Sequence, residues 1–367
     1  MSASNDETGC RGLERFANVR SLLEGSLKRT SAHPSLILFT VPKAASSYVG
    51  DILQQLACSC RLAPVDWEGY AHELPPLDKL DERALAMYRA CTFGLPLAEP
   101  ARSFGEHLLW AAAVCGLLPK VRWPAAIQSR MEAREVVRAL VRFFGARGCM
   151  YGPIRSPRLL NHLPELNRRK VVFLLRDPRD VLTSLYFSVS ISHQAPKNPQ
   201  LQEAFQNRRQ KSIAQGIDCF VRKKAPPLLA VYQRYCQLLQ ANPNFLLLRY
   251  EDMVGDFGTF LDRVINYWGL SVDAEFRNRF LALADFDVQG EDVHSHKRQV
   301  KPGDHRRKLA PETIGWLIEQ FSAVLDQLGY GPAGEIWPLE GPTLLRFESP
   351  QPSASANQLV KPARRAA

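Results

Sequence analysis

The sequence has no C-x-x-C pair, no apolar run long enough to cross a bilayer, and no loop in the order G-x-x-x-x-G-K-[ST]. Each absence excludes something. The eight cysteines (Cys10, Cys58, Cys60, Cys91, Cys115, Cys149, Cys219 and Cys236) are scattered, without a Cys/His cluster at zinc spacing. Neither a metal centre nor a disulfide framework is expected, and buried free thiols in a reducing compartment are. The longest apolar run, residues 108–119, falls short of the roughly 20 residues that a membrane-spanning helix needs. No hydrophobic signal segment follows the polar N-terminus, so a cytoplasmic location is the expectation. The missing glycine-lysine order argues against an ordinary magnesium-dependent triphosphate loop. Acid is also scarce: 37 Asp and Glu face 47 Lys and Arg, a formal net charge of +10. Such a surplus suits anionic ligands, among them phosphorylated cofactors. No aromatic-interleaved reader motif accompanies it, and a nucleic-acid partner is not expected.

What is present is organised around residues 171–188, VVFLLRDPRDVLTSLYFS. Val171 to Leu175 is a short, β-branched apolar run without helical period, which predicts a buried strand of a parallel sheet. Asp177-Pro178 then reads as a helix start, with Asp177 as cap, Pro178 at the first helical position and Asp180 near the positive end of the dipole. Arg176 leaves the strand and Ser184 rides the helix two turns in, both at the carboxyl edge of a sheet, where α/β proteins bind ligands. An arginine fork beside a hydroxyl suits a phosphate.

Three further segments carry related chemistry. Leu36 to Val41 reads as a strand and Val49, Ile52, Leu53 and Leu56 as one face of a helix. The intervening Pro42-Lys43-Ala44-Ala45-Ser46-Ser47 is a run of small residues that lets backbone N–H groups approach an anion at a helix N-terminus. Phe245 to Arg249 predicts another strand, ending in Tyr250-Glu251-Asp252, with an amphipathic helix from Met253 to Leu270. Lys297, Arg298, Lys301, Arg306, Arg307 and Lys308 crowd around Pro302-Gly303, a cationic loop able to wrap a phosphate. Pro311 then opens a helix that stops at Gly329. Between these lie a strand at Cys149 to Ile154, a basic loop bearing Arg155 and His162, a polar loop at 193–216 with breakers Pro196 and Pro199, and a helix at 217–240 interrupted by Pro226-Pro227. The expected organisation is a flexible lead-in over 1–31, one domain over 32–347 with a mostly helical insertion at 61–150, and a flexible tail over 348–367.

Four segments in this order resemble the sulfotransferases that use 3′-phosphoadenosine 5′-phosphosulfate (PAPS). Thr40 to Tyr48 is similar to the family loop TYPKSGTTW, Arg176 through Ser184 to its arginine and serine eight apart, Arg249 to Met253 to its YEDM segment, and Arg298 to His305 to RKGxxGDW. The resemblance implies a P-loop-like α/β fold, a central parallel sheet flanked by helices. It implies that Lys43 contacts the bridging oxygen and that Ser46 and Ser47, with the backbone of Ala44 and Ala45, hold the 5′-phosphate. Arg176, Ser184 and Arg298 would hold the 3′-phosphate, Tyr48 and Tyr250 match positions at the adenine, and Gln299 and Val300 belong to the closing loop. No metal is implied. Ala44-Ala45 stands where the family has Ser-Gly, and Gln299-Val300 where it has Lys-Gly. His162-Leu163-Pro164 matches part of the family's K-T-H-L-P and nominates His162 as the base, with an acid from the insertion as the alternative and Arg155 as a ligand of the same loop. The acceptor is open among a glycan, a lipid and a small molecule, and the oligomeric state is unread. A nucleotide kinase of related fold and a non-catalytic polyanion or nucleotide binder are the competing readings.

Overall fold

The structure, a computed structural model, describes residues 18, 21, 27–28, 31–66, 144–155, 169–193, 195, 199–284, 286, 290–293 and 298–337 of the 367-residue chain. Most of the expected lead-in, most of the 61–150 insertion, His162 and the C-terminal tail lie outside the described residues.

The apolar runs become strands. β1 (Leu36–Thr40), β2 (Ala63–Val65), β3 (Cys149–Ile154), β4 (Lys170–Leu175) and β5 (Leu246–Arg249) form one sheet in the order β2-β3-β1-β4-β5. Every pairing is parallel. β1 therefore lies between β3 and β4, and the loops leaving the carboxyl ends of these strands open on one edge of the sheet. β2, three residues long with a proline at its centre, was not anticipated from the pattern.

Alternation along β1 and β4 divides the core between two faces. Leu36, Leu38, Val172 and Leu174 pack with α1 (Ser46–Ser59) and with Phe260, Leu261 and Val264 further along the chain. Ile37, Phe39, Val171, Phe173 and Leu175 pack on the other face against Phe220, Tyr235, Leu317 and Phe321. Each such fully buried side chain contributes about 1.5–3 kcal/mol of transfer free energy.

The pairing of β1 with β3 slips by one residue: Ile37 faces Tyr151, whereas Phe39 faces Ile154. The extra residue falls at Gly152-Pro153. Gly152 has φ +125°, and a Cβ there would lie 2.6 Å from the Leu38 carbonyl oxygen. The close approach requires glycine.

The remaining helices are α2 (Pro178–Phe187), a π-helical turn (Ser188–Ser192), α3 (Pro199–Ala241), α4 (Tyr250–Gly255), α5 (Phe257–Trp268), α6 (Ala274–Ala282), α7 (Asp304–Lys308) and α8 (Pro311–Leu328). Three expectations are corrected here. Residues 199–216 form helix, not a polar loop, because Pro199 stands at a helix start where a missing N–H costs nothing. α3 is broken at Gly216 (φ 74°, ψ 166°), while Pro226-Pro227, expected to interrupt it, lie inside the second segment. The single helix expected over 253–270 is two, beginning at Tyr250 and divided at Asp256, whose carboxylate caps α5 by accepting from the Thr259 N–H. α8 ends as expected, with Gly329 in the left-handed region (φ 71°).

Candidate functional site

Four loops meet at the carboxyl edge. The first follows β1. Lys43 (φ 68°) and Ala45 (φ 53°) both take left-handed backbone, which costs an L-residue about 1–2 kcal/mol. These two turns fold the loop back on itself and start α1 at Ser46, with no side-chain cap and no acid in its first turn. The first N–H groups of α1 thus face the loop mouth with the positive end of the dipole. Ala44 is buried, Ser47 is exposed, and the Ser46 hydroxyl accepts a hydrogen bond from Arg155 Nε at 3.0 Å. Arg155 comes from the end of β3, placed there by the slipped register.

Arg176, just past β4, joins this loop directly: its Nη1 donates to the Lys43 carbonyl at 2.9 Å. The guanidinium is buried, lies 4.2 Å from the Tyr250 ring centroid and faces the Asp180 carboxylate at 3.7 Å. Its Nε is buried with no hydrogen-bond partner among the described residues. Asp177 caps α2 as expected, accepting from the Arg179 N–H at 2.9 Å.

The cationic loop closes from the C-terminal side. Gly303 turns at φ 81°, and its N–H donates to Asp180 at 2.7 Å. The His305 N–H and Nδ1 complete the grip on Asp180 at 3.0 and 2.7 Å. Arg298 is buried against the Phe187 ring (4.1 Å) and paired with Glu291 and Asp304. Ser184, half-buried, lies one turn after Asp180 and one turn before Phe187, on the stripe of α2 that carries both contacts. Val300 is buried and its carbonyl accepts from the Tyr250 hydroxyl at 2.6 Å, while Gln299 accepts from the Lys301 N–H at 3.3 Å.

Electrostatics tie the four loops together. Burial, followed by the charges of Arg176, Arg298 and Arg155, holds the Lys43 ammonium below the ordinary lysine pKa, with no carboxylate among the causes. Four cations from four loops therefore share one neighbourhood, which is what an anion with several charges would relieve. Tyr48 lies to one side, donating to the Leu283 carbonyl at 2.9 Å and packed against Phe286 at 5.5 Å. Beneath the cluster, Glu251 accepts from the Asp177 N–H at 3.0 Å and from the Tyr330 hydroxyl at 2.7 Å, and burial pushes its carboxyl up to about 7.

The structure thus brings together Lys43, Ser46, Arg176 and Arg298 of the expected residues, and adds Arg155 beside them. His162 lies outside the described residues. Sequence reasoning missed the grip of Asp180 on Gly303 and His305. Its partners are 123 and 125 residues away, and the only local signal is the four-residue spacing from Arg176.

A family model described as a sulfotransferase domain matches residues 33–313. Human sulfotransferase 2A1 is 28% identical over 152 residues, which cover 38% of this chain and 49% of that protein, so the match spans about half of the relative's length. Among solved structures, a mouse sulfotransferase complexed with PAP superposes with a TM-score of 0.40 at 12% identity, covering 86% of this chain and 90% of the other. A sulfotransferase from Mycobacterium avium gives 0.43 at 14% identity, covering 89% and 83%. With a match over residues 33–313 of 367, the chain belongs to the sulfotransferase domain family.

Proposed function

We propose that this chain transfers a sulfuryl group from 3′-phosphoadenosine 5′-phosphosulfate to a hydroxyl or amine of an acceptor of the glycan, lipid or small-molecule class. The observation that carries the reading is the Arg176 hydrogen bond to the Lys43 carbonyl, because it sets the two phosphate-binding motifs side by side. The buried Arg176 Nε without a partner is a donor that a 3′-phosphate oxygen would satisfy.

The nucleotide, when bound, supplies an activated sulfuryl group whose leaving oxygen gathers negative charge as the S–O bond breaks. The residues of this chain act around that event. The Lys43 ammonium stands at the leaving oxygen, and the α1 N–H groups with the Ser46 hydroxyl hold the 5′-phosphate. Arg155, hydrogen-bonded to Ser46, adds charge from the end of β3. Arg176, Ser184 and Arg298 hold the far phosphate. Positioning for in-line displacement supplies most of the acceleration, and a base takes the acceptor's proton, worth roughly 10²–10⁴-fold. His162 is the residue assigned to that base.

Calorimetric titration tests the assignment. Adenosine 3′,5′-bisphosphate is expected to bind at least tenfold more tightly than ADP or ATP, with no magnesium requirement. Preference for ATP would point to a kinase. Salt-sensitive binding of any polyanion without nucleotide selectivity would point to a non-catalytic binder.

Binding is also expected to take up protons. Burial, followed by the neighbouring guanidinium groups, lowers the Lys43 pKa in the free protein, and a phosphate beside it favours the charged form. The lysine pKa then rises on binding, so affinity falls as pH climbs from the free-state value toward the bound-state value. Titrations in buffers of different ionisation enthalpy read this uptake, and Lys43→Met should abolish it.

A further inference from the structure

We propose that Asp180 is a positioning residue for the 3′-phosphate subsite, a carboxylate that holds Arg176 and the closing loop in register with each other. The inference rests on the functional reading above and names a residue that reading does not use. Asp180 is wholly buried on the first turn of α2. One oxygen accepts from the Gly303 N–H at 2.7 Å. The other accepts from the His305 N–H at 3.0 Å and faces His305 Nδ1 at 2.7 Å. Arg176 lies 3.7 Å from the first oxygen.

The carboxylate stays ionised in this setting. Burial opposes ionisation, but the His305 hydrogen bond and the Arg176 charge outweigh it and hold the carboxyl well below its ordinary range. Its role is then both geometric and electrostatic. It accepts two backbone N–H groups on either side of Asp304, whose own carboxylate holds Arg298. It thereby fixes where Arg298 enters the site. It also gives Arg176 a fixed counter-charge, so that the guanidinium is aimed while the Lys43 carbonyl and the Tyr250 ring occupy its other sides. The His305 ring is anchored at Nδ1 by Asp180, and its Nε2 is buried with no hydrogen-bond partner among the described residues.

An asparagine at 180 keeps the shape but turns an N–H₂ either toward the Gly303 N–H or toward the His305 N–H and Nδ1. One of the two loop contacts must break, and Arg176 loses its charge partner. Loss of charge-assisted hydrogen bonds of this kind corresponds to on the order of 10- to 100-fold in affinity. The loss should be specific. Asp180→Asn is expected to weaken adenosine 3′,5′-bisphosphate by that factor while changing adenosine 5′-monophosphate, which lacks the 3′-phosphate, by less than about threefold. His305→Phe, which fills the ring's space without the Nδ1–H donor, should shift the same ratio in the same direction by a smaller factor. It serves in place of Asp180→Asn if that variant does not fold.

Calorimetry of the full chain with both nucleotides, beside circular dichroism of each variant, decides the matter. A folded variant that loses both nucleotides equally, or variants that keep the wild-type ratio, would overturn the proposal and leave the functional reading standing. A wild-type chain that does not discriminate the two nucleotides would overturn the functional reading, and this one with it.

Discussion

Lys43→Ala is expected to lower turnover by on the order of 10³-fold with the fold and melting temperature essentially unchanged. The two halves of this expectation come from different atoms of one residue. The ammonium is the group assigned to the leaving oxygen, and its loss removes a charge placed where charge develops. The backbone carbonyl is what Arg176 Nη1 binds, and alanine retains it. The side chain itself does not stabilise the site, since burial and the guanidinium groups of Arg176, Arg298 and Arg155 all disfavour its charged form. Truncation relieves that repulsion. Steady-state turnover with a model phenol or alcohol acceptor, read beside a thermal melt, checks both halves. Near-normal turnover in a folded variant would refute the role given to Lys43.

Arg179→Leu should do the opposite, damaging the fold through a residue whose guanidinium is bonded to Asp177, Gly331 and Pro332. Arg179 is wholly buried, and its Nη2 lies 2.7 Å from the Asp177 carboxylate. The same guanidinium donates to the carbonyls of Gly331 at 2.9 Å and Pro332 at 2.8 Å. It therefore joins the chain after α8 to the start of α2. Leucine leaves a buried carboxylate without its cation and two carbonyls without their donors. Breaking a buried pair from one side costs about 3–5 kcal/mol. Against a typical total of about 5–15 kcal/mol, that is a large share, and a fall of roughly 10 °C in the melting midpoint is expected. A change within 2 °C, about what 1 kcal/mol or less would produce, would show that the guanidinium is dispensable.

The pairing of these results shows where sequence reading ends. Arg176 and Arg179 stand three apart, and nothing local separates the guanidinium proposed to hold a phosphate from the one that joins two parts of the fold. The difference lies in partners more than 130 residues away: Lys43 for one, Gly331 and Pro332 for the other. Features that depend on local pattern were legible. The apolar runs at Leu36, Val171 and Leu246 are strands because five or so β-branched and aliphatic residues cannot hide on a single helix face. The Asp177 cap and the Gly329 stop follow from backbone chemistry that short-range sequence controls. Proline was misread where its position decides its effect, at Pro199 opening a helix and at Pro226-Pro227 within one. The motifs at Lys43, Arg176 and Arg298 were visible as charge at strand and loop ends; the strand order brings the first two together, and contacts with Phe187 and Asp304 place the third. Asp180 and Glu251 were not visible as organising groups, because a carboxylate acquires that role only from what folds against it.

The one-residue slip beside Gly152 sets the parity of everything after it on that strand. Side chains alternate between the two sides of a sheet, so the additional residue exchanges inward for outward at Ile154 and Arg155. Were the strand paired without it, Arg155 would leave on the opposite side from Ser46, and the fourth cation would point away from the other three.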